Sequence, residues 1–116
     1  MLVQGWLDGK AAAMAGEEFN LASVARNPLV EDVRRKRAAD AADGLMQTID
    51  ASVTSVDVVS RTASRIELRA QVAYSDSTGN KAGTVVDRTP PRTLIVTYIF
   101  GRDGKQWKLH AYIPGS

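Results

Sequence analysis

Hydrophobic residues recur with a helical period in the first third of the chain and with a period of two thereafter. Leu2, Val3, Trp6, Leu7, Lys10, Ala11 and Met14 fall on one stripe at helical spacing, which predicts an amphipathic helix ending at Gly16. Asn20 is positioned to cap a short second helix through Leu21, Val24 and Ala25. Asn27-Pro28 then predicts a third helix, with Asn as N-cap and Pro at the first helical position. Leu29, Val30, Val33, Ala38, Ala41 and Leu45 lie near one face of it, and Gly44 is its stop signal.

Beyond Gln47 the residues Ile49, Ala51 and Val53 alternate with polar neighbours, but the next apolar pair, Val56 and Val58, has the opposite parity. A β-bulge near Ser55 accounts for this and would return the apolar side chains to the buried face. Ile66, Leu68, Ala70, Val72 and Tyr74 mark a second strand, with Arg65, Glu67, Arg69 and Gln71 on its wet side. "AGTVVD" reads as a weak strand and "RTPPR" as irregular, since proline cannot donate to a ladder. Thr93–Phe100 and Lys105–Ile113 read as a hairpin closed by a type I′ turn at Asp103-Gly104. That turn would set Phe100 opposite Trp107, Tyr98 opposite Leu109, Val96 opposite Ala111 and Leu94 opposite Ile113, all on one face. His110 would then share the other face with Lys108 and Tyr112, opposite Thr97. The expected architecture is α+β: N-terminal helices packed on a curved, mainly antiparallel sheet of four to five strands.

The 116 residues, read as one domain over 1–116, suffice for a single core. Fifteen basic against thirteen acidic residues give a net charge of +2, too small to imply a nucleic-acid or membrane partner by itself. The absence of cysteine rules out disulfides and thiolate metal sites, and no stretch approaches a membrane span. No basic region precedes the first helix, so it reads as folded structure rather than a signal peptide, and Met1 as the edge of a domain excised from a longer protein.

Two features invite a chemical reading. His110 is the only histidine; a general base needs an orienting partner and a substrate in reach. Its own strand supplies no carboxylate, although Asp50 or Asp57 could approach through the sheet, so it reads as a strand residue. Arg34, Arg35, Lys36 and Arg37 are consecutive, which on a helix spreads them over about 300° of arc, and acidic neighbours offer pairs such as Asp32 with Lys36. They read as a solvated face. RNA-binding sheets expose stacking aromatics beside basic residues, whereas the Phe and Tyr of this chain fall mainly on the expected core side. No residue spacing suggests a metal or a cofactor.

"LVQGWLDGKAAAMAG" resembles the first helix of the intermembrane-space domain of the J-like plastid and cyanobacterial cell-division proteins, through Trp6, Leu7, Lys10, Ala13 and Gly16. "VTYIFGRDGKQWKLHAY" is similar to that family's last two strands at Tyr98, Trp107, Lys108 and Leu109, and "IELRAQVAY" fits its sheet. The chain departs from the pattern at Leu45 and Met46, where aromatics are common, and at "YSDS", where Asp76 is the nearest acidic substitute. The resemblance implies a cone-shaped fold of the nuclear-transport-factor-like and cystatin-like kind. It also implies a non-catalytic domain that captures a partner peptide or tail, on the intermembrane-space or periplasmic side of an envelope membrane; without it, the cytoplasm is the default. In plants such domains bind the C-terminal tail of an outer-membrane division protein, a partner that cyanobacterial chains would lack. The expected partner is a protein or peptide, with no nucleic acid and no insertion of this domain in a membrane, although its parent could be membrane-anchored; pairing of two copies is left open. Trp6, Tyr74, Tyr98, Trp107 and Tyr112 are the expected aromatic contacts, and Lys10, Arg69 and Lys108 the expected rim cations. The rival reading is a small isomerase- or hydrolase-like enzyme on the same fold, using His110 and a carboxylate.

Overall fold

In the computed structural model, which describes residues 2–115, two helices and a 3₁₀ turn cover one face of a four-stranded sheet. Helix α1 spans Leu2–Met14, the turn Leu21–Ser23, and helix α2 Asn27–Ala42. The strands are β1 (Met46–Arg61), β2 (Arg65–Gly79), β3 (Val85–Asp103) and β4 (Gln106–Gly115), in the antiparallel order β1-β2-β3-β4. The expected α+β class and helices-then-meander order hold. The expectation for Met1 lies outside the described residues.

Helix α1 buries Val3, Trp6, Leu7 and Met14 against the sheet, the stripe seen in the sequence. It ends as predicted: Gly16 takes φ +80, and Glu17 N–H and Gly16 N–H reach back to the Ala12 and Ala13 carbonyls. The start of α2 differs from expectation. Asn27 is already helical and Arg26 is the cap, without a side-chain cap bond. A tertiary contact sets this boundary: Leu109 N–H donates to the Val24 carbonyl and Arg26 N–H donates to the Leu109 carbonyl, so residues 24–26 lie parallel along the edge of β4. Asn20 likewise makes no side-chain cap, and the element after it is only the three-residue turn.

The predicted bulge in β1 is present as a register shift between Val53 and Ser55. It returns Val56 and Val58 to register with Ala70 and Leu68, but not to a core: they are 38% and 62% exposed, because the helical layer does not cover this end of β1. Nearer the helices the free edge of β1 is closed by one side chain. The Gln4 amide accepts from Val53 N–H (2.9 Å) and donates to the Ala51 carbonyl (3.1 Å), as a neighbouring strand would.

"RTPPR" is not irregular; it belongs to the long strand β3. Strand β4 pairs only with residues 95–103, so the preceding half of β3 is an edge, where proline costs the sheet no second ladder. A register shift between Tyr74/Arg92 and Asp76/Thr89 absorbs Pro90 and Pro91.

The last hairpin departs most from expectation. Its loop is Gly104-Lys105, closing on Asp103 opposite Gln106, with positive φ at Gly104 alone. That is the pattern of a type II′ turn, not the type I′ expected at Asp103-Gly104. Phe100 therefore faces Leu109 rather than Trp107. One residue further, His110 is a bulge: Ile99 pairs with Ala111 and Tyr98 with Tyr112. The extra residue inverts the parity of the rest of β4, so Tyr112 joins the helix-facing side and Ala111 and Ile113 turn outward.

Space for the bulge comes from Gly101. A Cβ at that position would overlap the His110 imidazole, which lies directly over the glycine on the outer face. Gly101→Ala is expected to destabilise the domain by about 1–3 kcal/mol through overpacking, and by much less in a His110→Ala background. Denaturant unfolding of the four variants of this cycle checks it; equal costs in both backgrounds would refute the contact.

Candidate functional site

The helix-facing side of the sheet and the side of α1 enclose a cleft of about 280 Å³. Trp6 and Lys10 reach it from α1, Tyr74 from β2, Arg92, Leu94 and Tyr98 from β3, and Tyr112 from β4. Lys10 comes within reach because it follows Trp6 by one helical turn. The ring centroids of Trp6 and Tyr112 are 6.3 Å apart, as are those of Tyr98 and Tyr112, so the bulged strand closes an aromatic cluster at one end of the cleft. Trp6, Lys10 and Tyr112 also wall a smaller chamber of about 110 Å³, lined on the far side by Leu29, Asp32 and Lys36 of α2.

Tyr74 connects the cleft to an ordered polar group behind its lining. Tyr74 O–H donates to Asp76 Oδ2 (2.5 Å), Gln47 Nε2 donates to the same oxygen (3.2 Å), and Thr89 N–H donates to Oδ1 (3.2 Å). Burial alone would raise the Asp76 pKa, but these donors together hold it below the ordinary carboxylate value. Burial, and then the bond to Asp76, push the Tyr74 phenol far above its ordinary range. Tyr98 is pushed up to about 12, by burial first and by neighbouring Tyr112 second.

Lys10 is the cation of the site. Burial lowers its pKa, the Lys36 charge lowers it further, and Asp76 acts in the opposite sense. Among the described residues no carboxylate lies within ion-pairing distance of it. The expected Asp32–Lys36 pair does not form either: Asp32 binds Arg35 and Glu31 binds Arg34, both one turn along α2.

Five of the eight expected contact residues, Trp6, Lys10, Tyr74, Tyr98 and Tyr112, therefore line one cleft. The other three lie elsewhere. Arg69 is on the outer face of β2, exposed and paired in register with Asp57 and Thr97. Trp107 packs half-buried against the core near the hairpin end. Lys108 lines a separate polar hollow with Arg26 and Asp103. Arg92 was not expected in the cleft, since its segment reads as a loop and nothing in the residue pattern separates it from Arg88.

His110 does not line the cleft. Its carboxylate neighbour is Asp103, not Asp50 or Asp57: Nε2 lies 3.7 Å from Asp103 Oδ1, and Asp103 Oδ2 lies 3.6 Å from Arg26 Nε. Among the described residues no group of three or more His, Asp or Glu is arranged to hold a metal, and no helix is long and apolar enough to cross a membrane.

A short helical layer laid over an open antiparallel meander, with an aromatic cleft between them, defines a class of small α+β domains. Within it, a family model for the ARC6-like IMS domain matches residues 1–110, and the chain belongs to that family. The fold superposes with a TM-score of 0.76 on the crystal structure of the intermembrane space region of the chloroplast protein ARC6. The two are 20% identical, and the match covers 97% of this chain and 90% of the other. A search of curated proteins gives no match.

The buried tyrosines fix an alkaline limit to stability. A phenol whose folded pKa exceeds its unfolded value of about 10 contributes stability that is complete below that pH and lost above it. For Tyr98 the window runs from about pH 10 to about 12, and Tyr74 adds in the same direction. Lys10 has the opposite sign, and its contribution is complete by about pH 10.4. Tyr98→Phe is expected to reduce the fall of unfolding free energy between pH 10 and 12 by up to about 1.4 kcal/mol per pH unit; urea titrations of both proteins across that range measure it, and parallel curves would contradict it.

Proposed function

We propose that the domain is a non-catalytic protein-interaction module with a division-related role, facing the space beside an envelope membrane, and that it receives the end of an extended partner peptide. The observation that carries this reading is the convergence of Trp6, Tyr74, Tyr98 and Tyr112 on a cleft whose lysine, Lys10, has no carboxylate partner among the described residues. Aromatic walls give a peptide side chain apolar area and polar tips. The Lys10 ammonium and the Arg92 guanidinium are the groups suited to a terminal carboxylate, the one charge every unmodified chain end carries. Family membership and the likeness to the intermembrane space region of ARC6 support the division-related setting and the compartment. A catalytic reading through His110 gains nothing from the cleft, since that residue is outside it.

The test is a library of peptides with free C-terminal carboxylates, offered to the domain beside the same peptides amidated. Free-acid peptides should be retained and their amides lost. Lys10→Gln should weaken the retained peptides about tenfold or more, the worth of a charge-assisted hydrogen bond. Affinity should also fall as pH rises through the lowered Lys10 pKa, because only the ammonium holds a carboxylate. A library from which nothing is retained, or retention indifferent to amidation and to Lys10, would overturn the reading.

A further inference from the structure

Lys10 differs from the other lysines of the chain in its surroundings. Lys36, Lys81 and Lys105 are exposed and Lys108 is half-buried in the polar hollow with Arg26 and Asp103, whereas the half-buried Lys10 lines both the cleft and the smaller chamber together with Trp6 and Tyr112. Among the described residues the charged or titratable groups that face it are these. On α2, Asp32 is engaged by Arg35, and Lys36 forms no ion pair among the described residues. On β2, Asp76 is engaged by Tyr74, Gln47 and Thr89. On β3 stand Arg92 and Tyr98, and on β4 Tyr112. An amine in an apolar setting beside a second cation, with no carboxylate bound to it among the described residues, has the arrangement that activates lysine nucleophiles.

We propose that Lys10 is a reactive amine that accepts an acyl group from a small acyl phosphate, and that this acylation empties the cleft of its partner. The Nζ lone pair attacks the acyl carbonyl carbon, a C–N bond forms and the C–O bond to phosphate breaks. Phosphate leaves with the electron pair, the surplus amine proton passes to solvent, and the product is a neutral amide; nothing is oxidised or reduced. Arg92, on the wall of the same cleft, is the cation that receives the departing phosphate. The lowered pKa of Lys10 supports the chemistry, since it enlarges the neutral fraction at a given pH. The second half of the proposal rests on the peptide-binding reading above, because an amide cannot hold a carboxylate as an ammonium does.

The experiment is limited acetylation of the folded domain with acetyl phosphate, and in parallel with uncharged acetic anhydride, followed by peptide mapping. Lys10 should react at least about threefold faster than Lys81 and Lys105 in the folded domain, and no faster than they do in urea. Lys36→Gln should remove most of that advantage with both reagents. Arg92→Gln should slow acetyl phosphate and leave acetic anhydride unchanged. Reaction at Lys10 no faster than at Lys81, or rates indifferent to both substitutions, would overturn the amine chemistry. If Lys10 is acetylated and free-acid peptides still bind as tightly, the regulatory half falls alone. Failure of any peptide to bind the unmodified domain would instead count against the peptide reading and leave the labelling result standing.

Discussion

Leu109 is fully buried, and both of its outward backbone groups are bonded to the chain between the 3₁₀ turn and α2. This short parallel contact fixes where α2 begins and anchors β4 immediately before its irregular residue. With Leu109 held on one side by residues 24–26 and on the other by Phe100, the extra residue falls at His110. Gly101 leaves room for the imidazole. From that point on, every β4 side chain has changed face, and the cleft depends on the change: with regular alternation Tyr112 would look outward and Trp6 would lose its aromatic neighbour.

The site is thus a by-product of how three edges are managed. Gln4 closes the edge of β1 with a side-chain amide and thereby holds the first turn of α1 against the sheet. The upstream half of β3, left unpaired by the short β4, tolerates Pro90 and Pro91 and brings Arg92 to the cleft wall. Residues 24–26 cover part of the edge of β4. Between these supports lies a gap that side chains line but do not fill, with a lysine inside it that has no ion pair among the described residues.

Helical and strand periods were plain in the sequence wherever one face is buried and the other wet. The α1 stripe and the alternation of β2 read correctly because local pattern and tertiary packing agree there; the bulge in β1 was legible as a parity slip, but not the exposure of Val56 and Val58 beyond it. Elsewhere a distant contact overrode the local pattern. Asn27 has the residue type of a cap, but a backbone contact to Leu109 placed the boundary one residue earlier. Pro90-Pro91 looks like a break because sequence does not disclose that β4 stops short of it. Tyr112 lies beyond a bulge whose cause is a glycine nine residues away on the next strand, so alternation assigned it to the wrong face. Five of the eight expected residues line one cleft nonetheless, since resemblance to the family and the pairing of aromatic bodies with polar tips pointed to them independently of register.

The inversion of β4 at His110 is the claim on which the cleft stands, and aromatic NOEs test it most directly. The account predicts cross-peaks from the Tyr112 ring to the rings of Trp6 and Tyr98, whose centroids lie 6.3 Å away, and from the His110 ring to the Gly101 α-protons. Cross-peaks from the Tyr112 ring to Thr97, with none to Trp6, would show a strand without the bulge and would contradict it.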